Sequence, residues 1–144
     1  MQSISEFMEK DHDRLDDLFN KYKDLKNSDP NKAEEMFSEF KSGLEKHILW
    51  EEDILFPLFE KKTGMYEGGP TAVMRLEHKN IKSILDEISG KLTGDSINTD
   101  DFENTLVAFL SDHNHKEENI LYPMIDNSVN DEELAELFIK MKKL

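Results

Sequence analysis

Two stretches of the sequence each combine a histidine, a glutamate four residues later and a proline further on. Residues 47–57 read HILWEEDILFP and residues 113–123 read HNHKEENILYP, so the two copies lie 66 positions apart. Side chains four residues apart on an α-helix project from one face. Each copy therefore directs an imidazole and a carboxylate the same way. Such donors, without thiolate, suit iron, manganese or zinc.

The same offset relates other parts of the chain. Adding 66 to the position of His12 gives His78. The apolar neighbours match as well: Met8 with Met74, Leu15 with Ile81, Leu18 with Ile84, and Tyr22 with Ile88. A repeat of this kind predicts one supersecondary unit used twice, here a helical hairpin.

The repeated histidines and glutamates interrupt apolar stripes. One stripe comprises Phe40, Leu44, His47, Glu51, Ile54 or Leu55, and Leu58; the other comprises Phe102, Leu106, Leu110, His113, Glu117 and Leu121. Two buried carboxylates without a cation are very costly, and these stripes contain no Lys or Arg. The alternative, a polar core with a purely structural role, leaves that cost unrelieved. The pattern predicts a metal site with six candidate ligands: His12, His47, Glu51, His78, His113 and Glu117.

Three further residues near the motif have other predicted roles. His115 is two residues from His113, about 200° round an ideal helix, and its repeat position holds Leu49, so we expect it to face solvent. Glu52 and Glu118 do repeat, but each is about 140° from the preceding histidine. We expect them to flank the site as hydrogen-bond acceptors for the rings, with a secondary ligand role left open.

Helical periodicity covers most of the chain. We predict helices over about 3–25, 31–61, 70–92 and 101–126, and a short tail helix over about 131–141. Long amphipathic helices with short connections favour an all-α, antiparallel up-down-up-down four-helix bundle. The prediction is a single domain over residues 1–144, formed by hairpins at about 3–61 and 70–126. Pro57 and Pro123 are expected to kink their helices just beyond the site without ending them.

Composition limits the partners. The chain of 144 residues has 32 acidic and 18 basic residues, a formal net charge of −14, and no cysteine. Such a surface repels nucleic acid and anionic membranes, so we expect neither as a partner. There is no thiolate site or disulfide, and the N-terminus lacks the pattern of a secretion signal. We expect a cytoplasmic protein; its oligomeric state is not indicated.

The set His12, His47-x-x-x-Glu51, His78 and His113-x-x-x-Glu117 resembles the hemerythrin-like, or HHE cation-binding, family across essentially the whole chain. The resemblance implies a hemerythrin-like bundle around two iron ions joined by an oxo or hydroxo bridge, with other divalent metals as alternatives. It further implies that Glu51 and Glu117 bridge the metals and that the four histidines are terminal ligands.

One departure separates this chain from the oxygen carriers of that family. They have a fifth histidine where this chain has Met74. The set of four histidines and two glutamates is similar instead to the iron–sulfur repair (RIC-type) proteins. Those proteins carry a cysteine-bearing N-terminal segment, whereas this chain starts directly at the bundle, which argues against a full repair activity.

The resemblance and the ligand count lead to functional expectations. Six protein donors shared by two metals leave open positions at both, which suits reaction with O2, peroxide or nitric oxide. We expect such a role in oxidative or nitrosative stress response or in iron handling, with an unidentified redox partner. Reversible oxygen storage or sensing without turnover, and metal storage or donation, are the alternatives. Both an enzyme and a protein that binds its ligand without turnover are compatible with these expectations.

Overall fold

A computed structural model describes residues 2–92 and 98–144 of the chain. In this described part the helical elements, in chain order, are α1 (Ile4–Leu25), α2 (Pro30–Trp50), a π-helical turn (Glu51–Leu55), α3 (Phe56–Thr63), α4 (Pro70–Leu92), α5 (Asp100–Lys116), a second π-helical turn (Glu117–Leu121), α6 (Tyr122–Ser128) and α7 (Asp131–Lys143). Four rods, α1, α2–α3, α4 and α5–α6, form the predicted antiparallel bundle, and α7 is the predicted C-terminal helix.

Helix ends follow the local chemistry of the sequence. The Asp29 carboxylate accepts a hydrogen bond from the Lys32 amide at 3.2 Å, and Pro30 occupies the first turn of α2. Asn130 and Glu133 form a reciprocal capping box at the start of α7. At the end of α3, Gly64 adopts a left-handed conformation with φ 73°, which favours glycine.

The two motif helices are irregular at the motif itself. The Phe56 amide donates to the Glu51 carbonyl and the Tyr122 amide to the Glu117 carbonyl, each five residues back. The prolines that follow lack an N–H and crowd the carbonyl four residues back, which a wider turn relieves. The helices continue through Pro57 and Pro123 as predicted. The distortion, however, lies before the prolines and includes the glutamates, whereas the prediction put it beyond the site.

The π-helical turns also shift the buried face. The predicted stripe ran through Ile54 or Leu55 to Leu58, but Leu58 and Ile54 are only partly buried. Of the two predicted alternatives Leu55 is the buried one, and Phe56 and Phe59 are buried instead of Leu58. The extra residue in the turn changes the phase of every side chain after it, which regular helical periodicity does not anticipate.

Two apolar layers enclose the middle of the bundle. One layer comprises Leu15, Phe19, Tyr22, Ala33, Phe37, Phe40, Leu44, Ile48, Ile81, Leu85, Ile88, Leu106 and Leu110. The other comprises Ile4, Met8, Leu55, Phe56, Phe59, Met74, Leu121, Tyr122, Ile125, Leu134, Leu137 and Met141. Helix α7 completes the second layer, and the Trp50 indole fastens it by donating to the Met141 carbonyl at 3.0 Å. The polar residues of the motif lie between these layers.

Within residues 2–92 and 98–144, no helix combines the length and the apolarity needed to cross a membrane.

Candidate metal centre

The structure brings all six predicted ligands together in the interior. Each of the four rods contributes a histidine, and the two π-helical turns contribute the glutamates. Their exposed fractions range from 0% for Glu51 and Glu117 to 3% for His12 and His113. A polar cluster this deeply buried requires partners for its lone pairs and protons.

The donor atoms form two overlapping clusters. One contains Glu51, His78, His113 and Glu117, and the other contains His12, His47 and Glu117, with donor atoms inside each cluster within 4.8 Å of one another. The two histidines of each hairpin therefore stay together, and Glu117 belongs to both clusters. This geometry suits a pair of cations that share a carboxylate.

Donor separations inside the clusters are short. The His78 Nε2 atom lies 3.1 Å from Glu51 Oε1. Glu117 Oε1 lies 3.3 Å from His113 Nε2 and 3.3 Å from His12 Nε2. Glu51 Oε2, in contrast, is 3.8 Å from His47 Nε2, so the two glutamates are not equally shared.

Two of the flanking carboxylates hold the rings as the sequence predicts. The Nδ1 atom of His12 donates to Glu118 Oε2 at 2.7 Å, and that of His78 donates to Glu52 Oε2 at 2.8 Å. Both bonds cross from one hairpin to the other. They leave each ring with Nε2 facing the cluster, which is the usual arrangement around a histidine metal ligand.

Two more carboxylates accept hydrogen bonds from histidine rings, and the sequence analysis did not predict them. His47 Nδ1 donates to Asp11 Oδ2 at 2.8 Å, and His113 Nδ1 donates to Glu77 Oε1 at 2.9 Å. Asp11 and Glu77 directly precede His12 and His78 and are themselves 66 positions apart. The repeat thus contained the signal for them.

Tyr122 is a further residue that the sequence reasoning did not single out. It is fully buried, and its hydroxyl donates to Glu51 Oε2 at 2.7 Å and lies 3.0 Å from Glu117 Oε1. Its repeat position holds Phe56, whose ring stacks on His78 at 5.8 Å. The one-atom difference between these positions was visible in the sequence.

The two buried carboxyl groups have opposite pKa displacements. Burial and the adjacent charge of Glu117 raise the pKa of Glu51. Burial acts the same way on Glu117, but contacts with Glu51, His113 and His12 outweigh it and hold the pKa of Glu117 well below its usual range. Without metal, Glu117 is therefore the ionised member of the pair.

The negative charge of Glu117 raises the pKa of neighbouring imidazoles. Burial lowers the pKa of a histidine, but here the hydrogen bond and charge of Glu117 prevail and raise the pKa of His12 from 6.5 to about 9. The same balance raises the pKa of His113 to about 9. Protons on these rings thus supply positive charge that a metal would otherwise bring.

The donor set fits a pair of metal ions. Glu51 Oε1, His78 Nε2 and Glu117 Oε2 are buried with no hydrogen-bond partner, although such atoms normally have one. Among the residues that the structure describes, neither carboxylate is paired with a Lys or Arg. Imidazole nitrogens and carboxylate oxygens are the ligands of iron, manganese and zinc, so cations would satisfy all three atoms.

His115 lies outside the site, which confirms its predicted position. Its side chain is exposed on α5, where the Asn119 amide donates to His115 Nδ1 at 3.1 Å.

An antiparallel four-helix bundle with a histidine from every rod and a glutamate from two of them directed into its core defines a class of metal-binding helical proteins. Within that class, the chain belongs to the hemerythrin HHE cation-binding domain family, whose sequence model matches residues 3–125. Membership implies that the protein binds metal.

Parts of two curated relatives are similar to this chain. An iron-sulfur cluster repair protein, YtfE, of Dickeya chrysanthemi is 36% identical over 90 residues, which cover 56% of this chain and 40% of the relative. A DNA nickase of Nostoc sp. is 24% identical over 140 residues, covering 97% of this chain and 38% of the relative. The chain thus spans about two fifths of the length of these relatives. No solved structure matches significantly.

Proposed function

We propose that the six buried donors hold two iron ions and that this centre reacts with a small oxidant such as O2, peroxide or nitric oxide. The observation that carries the proposal is the pair of donor clusters that share Glu117 and contain three buried atoms without a partner. Iron in such a site would supply electrons for reducing the oxidant. Glu51, Glu117 and the four histidines would hold the two ions, and Glu117 is the residue that both clusters contain.

The surrounding chain suits this chemistry in two respects. The clusters offer four and three protein donors, fewer than a six-coordinate iron takes, so an external ligand has room to bind. The apolar layers on both sides limit the entry of water. Met74, 3% exposed in one of these layers, stands at the sequence position where the oxygen carriers of the family have a fifth histidine, and this favours reactivity over simple oxygen carriage.

Relatives and charge support a small-molecule role. The similarity to an iron-sulfur cluster repair protein is consistent with a role in iron handling or stress response. The other relative is named for an action on DNA, but this chain spans 38% of it and has a net charge of −14, which disfavours contact with nucleic acid. We propose that the protein has neither nucleic acid nor a membrane as a partner. We also propose that a separate protein donates the electrons.

Metal analysis of protein purified without added metal tests the centre. We expect about two iron ions per chain, as in other bundle-core carboxylate sites. His113→Ala should lose metal, while His115→Ala, which removes an exposed imidazole two residues away, should retain the wild-type content. Equal metal loss in both variants, or metal-free wild-type protein, would contradict the proposal.

The absorption spectrum then tests the reaction. We expect the reduced protein to develop ferric absorption when air is admitted, and this absorption should persist when O2 is removed. Reversal on removal of O2 would instead support the second reading, reversible oxygen storage or sensing.

A further inference from the structure

Tyr122 and Phe56 occupy equivalent places in the two halves of the bundle. Each follows a motif glutamate by five residues, and each is fully buried. The Phe56 ring centre is 5.8 Å from that of His78, and the Tyr122 ring centre is 5.8 Å from that of His12. The two copies of the repeat therefore differ at this point by a single hydroxyl, that of Tyr122, which lies beside the His12–His47 cluster.

That hydroxyl lies among the donor atoms. Besides its bond to Glu51, the Tyr122 oxygen is 3.1 Å from His47 Nε2, 3.4 Å from His12 Nε2 and 3.0 Å from Glu117 Oε1. The corresponding separations in the other cluster are 3.1 Å from His78 Nε2 to Glu51 Oε1 and 3.3 Å from His113 Nε2 to Glu117 Oε1. The phenol oxygen is thus spaced from its neighbours as Glu51 Oε1 is spaced from His78.

These contacts require a positive charge between the atoms. The phenol has one proton, which it donates in a hydrogen bond to Glu51 Oε2 at 2.7 Å. The Nδ1 atoms of His47 and His12 donate to Asp11 and Glu118, so the Nε2 atoms of both rings face the phenol oxygen, where each can hold either a proton or a metal ion. Glu117 Oε1 faces it with a further lone pair. Such a group of lone pairs repels itself unless protons, or a metal ion in their place, lie among the atoms.

We propose that the phenol oxygen of Tyr122 is a ligand of the metal ion at the His12–His47 cluster. The inference rests on the proposed metal centre and adds to it a donor outside the six-residue motif. With Tyr122 this cluster has four protein donors, as many as the cluster around His78 and His113. Metal–ligand bonds of about 2.0–2.2 Å place ligand atoms about 2.8–3.1 Å apart at octahedral angles and about 3.3–3.6 Å apart at tetrahedral angles. The phenol oxygen lies 3.0 Å from Glu117 Oε1, 3.1 Å from His47 Nε2 and 3.4 Å from His12 Nε2, which falls among these values.

Ligation has a spectroscopic signature that is independent of activity. When the oxygen binds ferric iron, the phenol O–H bond is lost and its proton passes to solvent. A phenolate bound to ferric iron absorbs visible light by charge transfer, and excitation in that band enhances tyrosine ring vibrations in the Raman spectrum. Imidazole and carboxylate ligands do not produce these vibrations.

Tyrosine substitutions assign the signal to one residue. The chain has three tyrosines: Tyr22, Tyr66 and Tyr122. Tyr22 donates to Glu103 at 2.7 Å in the other apolar layer, and Tyr66 is 57% exposed. The double variant Tyr22→Phe with Tyr66→Phe keeps only Tyr122 and serves as the matched control. Tyr122→Phe installs the side chain that the repeat already accommodates at position 56.

The experiment compares resonance Raman spectra and iron content of the air-oxidised proteins. We expect tyrosinate vibrations in the wild type and in the double variant, and their complete loss in Tyr122→Phe. The signal of the double variant decides the question even if Tyr122→Phe folds poorly. Iron-loaded wild type without tyrosinate vibrations, or vibrations that vanish in the double variant, would overturn the ligand role alone. Wild type that contains no iron would instead overturn the metal centre, and the ligand role with it.

Discussion

Every imidazole in the core of this protein donates a hydrogen bond to a carboxylate on the side of the ring that faces away from the donor cluster. Asp11, Glu52, Glu77 and Glu118 each accept a hydrogen bond from an Nδ1 atom at 2.7–2.9 Å. Such bonds select the tautomer that exposes Nε2 and increase the basicity of the ring as a ligand. The ring orientation is thus set before any metal arrives.

Removing one of these acceptors should weaken metal binding without removing a ligand. We expect Asp11→Ala and Glu77→Ala each to lower metal affinity about tenfold to a hundredfold, because His47 and His113 lose their orienting bonds. Competition with a chelator of known affinity measures the change.

Asp13→Ala is the matched control for that experiment. Asp13 is an exposed acidic residue on α1, so this variant makes the same change in charge near the site without touching a ring. An equal loss of affinity in the control would show that net charge, not ring orientation, is responsible.

At the scale of helices, α1 depends on a side chain from the opposite end of the sequence. The Asp126 carboxylate on α6 accepts hydrogen bonds from the amides of Ile4 at 2.8 Å and Ser5 at 3.1 Å. These amides have no partner within the helix, because the first turn lacks preceding carbonyls. Asp126 therefore both caps α1 and joins the first rod to the last.

Loss of this cap should destabilise the whole bundle. We expect Asp126→Ala to reduce the free energy of unfolding by about 0.5–2 kcal/mol, the usual effect of removing a helix cap. Urea denaturation of the metal-free protein measures it. Asp126→Asn retains an acceptor oxygen and should keep most of the stability; equal losses in the two variants would argue against capping as the cause.

At the scale of the molecule, the buried charges couple stability to pH. In the metal-free protein the pKa values of His12 and His113 are raised from 6.5 to about 9 by Glu117. The folded protein therefore binds protons more tightly than the unfolded chain. The stabilisation is complete below pH 6.5 and is lost as the pH rises through about 9.

We accordingly expect the metal-free protein to become less stable between pH 6.5 and about 9. Metal affinity should increase over the same interval, because protons and metal compete for the same nitrogens. Denaturation of chelator-treated protein at several pH values, paired with metal titrations, measures both trends. Stability of the metal-free protein that stays level or increases with pH would contradict the assignment of protons to these rings.

Much of the architecture could be predicted because it depends on local sequence. The 3.6-residue spacing of apolar residues is repeated at every turn, so it predicted the rods, including their passage through Pro57 and Pro123. The second helix was predicted to start near residue 31 and starts at Pro30, because a helix start depends on neighbouring residues such as the capping Asp29. The π-helical turns were missed because a single inserted residue leaves no periodic signal.

The sequence by itself determined which residues enter the core: the 66-residue repeat identified six buried donors, and helical spacing placed His115 outside. Only the tertiary structure decided how these donors divide between two clusters and which carboxylates hold them. Only the tertiary structure showed that the Tyr122 hydroxyl contacts the donor atoms. On an ideal α-helix a residue five positions after Glu117 is rotated about 140° away from it. The π-helical turn brings Tyr122 back to the same face, and the packing of four rods then sets the distances.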